Sequence, residues 1–368
     1  MAIPWLASAH SVVARHSNAP LSSDDLCFVK NNETLDEYSS TDASAVQQAV
    51  DAASLGDVLL IAGECAGTQT RGGLIQTVYI SKSLTLEGGY APGDWTVERD
   101  LETYTTTLDA DQGGRVVVIS STAGVNIDGL YLTGGFADNP SLDGNGGGIW
   151  TNSFVTLTNT IVYSNTSDWD GGGMYSLGVS PFLKGVTFSE NVGFHGGALY
   201  NDCDSGTSSP MLTDVTLSGN SASYGGAMAN MCENGNNSAR LTNVVMSGNA
   251  ANTGGGWVVS VCNGEGSAVM TNVSFSGNSA VYYGGAIEAE ADGKCLLVVN
   301  NSIFWNNRAD GVTGTIDANF HSYGVVYGLT HSLVEGAYTG GSWIGGTYFD
   351  GGGNIDEEPL FLDPIAPS

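Results

Sequence analysis

The chain has 368 residues, with 38 acidic against 10 basic side chains and a formal net charge of −28. That balance excludes nucleic acid as a partner, because binding phosphate needs Lys and Arg, and it disfavours anionic lipid and polyanionic sugars. Charged residues are 13% of the chain, about half the usual share of roughly 25%, and no stretch reaches the roughly 18 apolar residues that a membrane span needs.

Residues 1–24 contain Trp5, Leu6, Val12 and Val13 but no unbroken apolar core. They make a poor signal peptide and are expected to be a leader remnant, loosely ordered. Residues 25–57 are assigned to an N-terminal cap. Within them, TDASAVQQAVDAAS (41–54) predicts a short helix. Thr41 or Asp42 would cap it, and Val46, Ala49, Val50 and Ala53 would form its apolar face. Residues 58–145 carry irregular first coils, with strands expected at 58–62, 77–80, 84–87, 116–119, 125–127 and 130–132.

From 146 to 310 the sequence repeats. Gly-Gly pairs begin at Gly146, Gly171, Gly196, Gly225, Gly254 and Gly284, a period of 25 to 30 residues. Such a period marks a solenoid. Three apolar columns recur: Ile149, Met174, Leu199, Met228, Trp257, Ile287; then Leu157, Leu183, Leu212, Leu241, Met270, Val299; then Val162, Phe188, Leu217, Met246, Phe275, Phe304. Spacings of two inside a segment are strand periodicity. Parity breaks at Asn159, Gly185, Asp214, Asn243, Asn272 and Asn301, residue types that tolerate positive φ, so a corner lies there. The column Asn165, Asn191, Asn220, Asn249, Asn278, Asn307 marks a second corner, with stacked amides expected to form a ladder. The Gly-Gly pair makes the third. Three short strands and three corners per repeat describe an all-β, right-handed parallel β-helix with a short capping helix. A leucine-rich repeat fails for want of its Leu consensus and helical half. Residues 311–368 lose the repeat and are read as last coils and a C-terminal tail.

Six cysteines are present. Adjacent coils would place equivalent residues about 5 Å apart, within disulfide range. Pairings Cys203–Cys232, Cys262–Cys295 and Cys27–Cys65 are expected, with buried free thiols as the other reading. Disulfides imply an oxidising compartment.

Candidate chemistry is sparse. Asp168, Asp170 and His195 form the best acid/base constellation, because Asp170 and His195 share a column one residue before the Gly-Gly corner. A lyase or glycoside hydrolase on the coil face would use them, and a polar outer column is the plainer reading. Lys184 would be an outward base or a solvated charge. Trp150, Tyr175 and Tyr200 follow one another on three coils and would be an exposed ligand-binding strip or lie under a neighbouring loop. The segment after the Gly-Gly corner lengthens in later coils. These expected loops carry Asp202, Asp204, Glu233, Glu288, Glu290 and Asp292, which would bind Ca²⁺ or simply shield the flank. No cofactor is required.

The runs VQQAVDAASLGDVLLIAGECAG and VYISKSLTLEGGYAPGDW resemble the capping helix and first coils of bacterial secreted β-helix proteins of the pectate-lyase-like superfamily. Units such as SSPMLTDVTLSGNSASYGGAMAN resemble repeats of the polymorphic outer-membrane-protein type. The ending GGNIDEEPLFLDP resembles the closing segment of anchored surface proteins in this group. Together these cover most of residues 40–365. The resemblance implies a β-helix and a secreted or surface-anchored bacterial life, but not an activity. The function expected is an extracellular or cell-surface scaffold or adhesin, presenting a loop face to a polysaccharide or protein ligand. Self-association through the end coils is a further expectation, and a carbohydrate-active enzyme is the alternative.

Overall fold

The computed structural model describes residues 26–120, 124–138, 144–203, 207–232, 235–261, 265–339, 342–343 and 348–359. The expected leader lies outside them. The chain winds into a parallel β-solenoid of about nine coils. Each apolar column of the sequence is a row of in-register strand partners. Ile149 pairs with Met174, then Leu199, Met228, Trp257 and Ile287 follow in turn. Leu157 to Val299 form a second row, and Val162 to Phe304 a third. All three rows are buried and form one continuous apolar core.

The corners follow from backbone chemistry. Asn159, Gly185, Asp214, Asn243, Asn272 and Asn301 all have positive φ, between 47° and 65°. At the second corner the left-handed residue is the one before the Asn column: Ser164, Glu190, Gly219, Gly248, Gly277 and Asn306. The Asn residues themselves turn inward. Asn191 Nδ2 donates to Asn220 Oδ1 at 3.0 Å, and the same oxygen accepts from the Asn191 backbone N–H. Identical pairs run from Asn165 to Asn307. The amides thus satisfy backbone groups that the turn would otherwise leave unpaired inside the core. At the third corner, a Cβ on Gly226 would lie 2.3 Å from the Gly255 carbonyl oxygen. Only glycine lets successive backbones approach that closely.

The N-terminal cap is a helix, Ser44–Ala52, packed beside antiparallel strands Cys27–Asn31 and Glu37–Ser40. Its N-cap is Ala43, with no side-chain cap bond, rather than Thr41 or Asp42. Asp42 instead accepts from the Ser44 N–H at 2.9 Å. Val46, Ala49, Val50 and Ala53 are buried. The Cys27–Cys65 disulfide ties the cap to the first long strand, Val58–Ala66, and Cys203–Cys232 links two neighbouring coils. Cys295 is a buried free thiol, in register with Gly266 and Val325; its expected partner Cys262 lies outside the described residues.

The long segments expected as loops are largely strands. Asn236–Ser247, Glu265–Thr271 and Ile287–Asn300 extend the coils and pair with one another. Neighbouring coils have similar insertions, so the extra backbone finds partners above and below. Beyond Asn307 the winding continues without the motif. A short helix, Ile316–Asn319, leads into Phe320–Thr330, which stacks on Ile287–Asn300.

Candidate functional site

The flank just before the Gly-Gly corner concentrates the reactive and aromatic side chains. Asp170, His195, Tyr224 and Thr253 are bridged coil to coil, so one outer column carries them at the strand spacing of about 4.8 Å. Gly171 N–H donates to His195 C=O at 2.9 Å, and Gly196 N–H to Tyr224 C=O at 2.8 Å. The Asp170 N–H is held by Asn145 Oδ1 at 2.9 Å. The column is therefore fixed by bonds to its backbone N–H and C=O groups, one of them from the Asn145 side chain.

His195 Nδ1 lies 2.6 Å from Asp170 Oδ1, and both side chains are largely buried. In the tautomer that donates Nδ1–H to the carboxylate, Nε2 is the ring's other hydrogen-bonding atom. The ring sits in an aromatic setting. Phe194 meets it edge-on at 4.6 Å, and Tyr224 and Tyr200 flank it at 5.1 and 5.8 Å. Of the expected trio, Asp170 and His195 come together. Asp168 is exposed on the same corner. Glu190, one coil on, accepts from the Ser164 hydroxyl at 3.4 Å. Lys184 is exposed in a different row, in register with Thr158 and Thr213.

The aromatic strip is corrected. Trp150, Tyr175 and Tyr200 do stack, with Tyr175 and Tyr200 at 5.5 Å and nearly coplanar. They do not form an exposed surface: Tyr175 and Tyr200 are 5% and 7% exposed, in a second apolar cluster with Ala229 and Val258, against which Trp150, Leu177 and Met231 pack. Small and apolar neighbours in the same column let the rings bury each other. Around His195 the aromatics that reach solvent are Trp169, Phe194 and Tyr224, at 49%, 40% and 38%. Phe194 touches both others, at 6.2 and 5.7 Å between centroids. Their signal in the sequence was present: Trp169 and Phe194 each stand two residues before a Gly-Gly pair, and Tyr224 stands one before.

The described members of the acidic set have separate surroundings. Asp202 accepts from the Tyr175 hydroxyl at 2.8 Å, Glu288 is buried, and Glu290 and Asp292 are exposed. Asp204 and Glu233 lie outside the described residues. Among the described residues no three His, Cys, Asp or Glu side chains form a metal-holding group.

Residues 272–290 match the model of the Chlamydia polymorphic membrane protein repeat. The match begins at the bend residue Asn272 and runs through Asn278, Tyr282, Tyr283 and the Gly284–Gly285 corner. The chain matches no curated protein and no solved structure. Among the described residues no helix is long and apolar enough to cross a membrane, which leaves β-barrels aside.

Proposed function

We propose that this chain is a surface-exposed or secreted bacterial scaffold whose flank at Trp169, Phe194, His195 and Tyr224 binds a neutral glycan without turning it over. The observation that carries the reading is the exposed aromatic ridge on successive coils. Aromatic faces pack against the apolar faces of sugar rings, and the coil spacing suits a ligand extended along the solenoid axis. The net charge of −28 argues against a polyanionic glycan. The repeat match and the two disulfides favour a life outside the cytoplasm.

His195 serves this site as a hydrogen-bonding group oriented by Asp170. The alternative, a lyase or hydrolase, would need a second carboxylate about 5 to 9.5 Å from the first across the scissile bond. A polysaccharide array, run with and without Ca²⁺, separates the two. Binding without product release is expected, and Trp169→Ala with Phe194→Ala should weaken it about tenfold or more, as losing two aromatic contacts would. Product release that disappears in Asp170→Ala would replace the scaffold reading with the enzyme.

A further inference from the structure

Farther along the same flank, the Tyr282–Tyr283 corner faces the segment that follows the last regular coil. Between them lies a cleft of about 540 Å³, lined by Tyr282, Tyr283, Asp310, Val312, Asp317 and His321, among others. Tyr282 and Tyr283 are 58% and 53% exposed. The Tyr283 ring stacks on the His321 imidazole at 4.4 Å and 19°. Behind that imidazole is Glu288, 7% exposed, with Oε1 3.8 Å from His321 Nδ1. Glu288 Oε2 and His321 Nδ1 are both buried without a hydrogen-bond partner among the described residues. Among the described residues no Lys or Arg lines the cleft.

We propose that this cleft binds a primary alkylammonium group, seated on the tyrosine faces and facing Asp310 and Asp317. The geometry supplies both halves of ammonium recognition: aromatic faces for a cation–π contact and carboxylates for Coulomb attraction. The wall stays formally negative in every protonation state of the Glu288–His321 pair, because Asp310 and Asp317 outnumber the single charge that His321 could add. A neutral polar ligand would leave that repulsion between carboxylates in place. This site does not depend on the ridge at Trp169, which lies several coils away.

The test uses the full chain and four small probes. Nα-acetyl-lysine amide and glucosamine carry the ammonium on a peptide and on a sugar. Nα-acetyl-norleucine amide and N-acetylglucosamine are their neutral counterparts. The readout is the His321 imidazole C–H resonance, resolvable in a chain with five histidines and assigned with His321→Gln. A saturable shift is expected with at least one ammonium probe and none with its neutral counterpart; which of the two binds identifies the source. Affinity should fall about tenfold in the exposed double variant Asp310→Asn/Asp317→Asn and should also fall as salt rises, since exposed charges are screened. Trp169→Ala should leave the titration unchanged. Equal shifts with the neutral probes, no shift with any probe, or wild-type affinity in the double variant would overturn the proposal.

Discussion

Glu288 is the residue whose environment departs furthest from its position in the sequence. The sequence places it in an acidic loop, yet it lies on a strand and is buried. Burial raises its carboxyl above the ordinary range; the Thr253 hydroxyl and His321 pull it back only in part, and Glu290 pushes it further up. A carboxyl raised in the folded state favours the fold while protonated. That contribution is complete below the unfolded pKa and is lost as pH rises through the folded one. Glu288→Gln, which keeps the shape and removes the charge, is therefore expected to raise Tm by about 1–3 °C at pH 8 and to leave it unchanged near pH 4. Thermal unfolding across that pH range checks this, and a lower Tm at pH 8 would contradict it.

At the scale of the corner, two Asn columns do different work. Asn220 is fully buried and its side chain makes five hydrogen bonds: it accepts twice from Asn191 and donates to Asn249 Oδ1 and to the Phe188 and Ser218 carbonyls. Asn220→Ala should cost about 3 kcal/mol or more, because it orphans buried donors and acceptors in both adjoining coils. Asn243 is exposed, with φ of 54°, and exchanges amide bonds with Asp214 and Asn272. There the backbone matters more than the amide, so Asn243→Gly should cost less than about 1 kcal/mol. Urea unfolding of the two variants compares them directly, and equal losses would show that the corners are not distinct. Both columns were legible from the repeat. The left-handed residue of the second corner was not, because its column holds Ser, Glu and Asn beside three Gly and no single residue type marks it.

For the whole molecule, a solenoid gains its stability from contacts between neighbouring coils, so its ends matter out of proportion to their size. The cap hairpin and helix close the first coils, and the Cys27–Cys65 disulfide holds them across 38 residues of chain. Replacing both cysteines with Ala should lower stability by roughly 3–4 kcal/mol, as a loop of that length implies. It should also promote association through the uncovered strand edges. Unfolding midpoints and light scattering read the two effects, and an unchanged midpoint would mean that the cap stays docked without the link.

What the amino-acid order determined by itself was the coil: its three strand rows, which columns face inward, the places of its three corners and the Asp170–His195 contact. A period repeated in register makes local sequence and long-range contact the same information, since each residue's neighbour is its own equivalent one coil away. The tertiary structure alone decided exposure on the outer face. It buried Tyr175 and Tyr200, left Trp169 and Phe194 in solvent, turned the expected acidic loops into paired strands, and brought His321 from beyond the last regular repeat onto Tyr283. Those outcomes depend on which segments pack over the outside of the coils, and the repeat period carries no record of that.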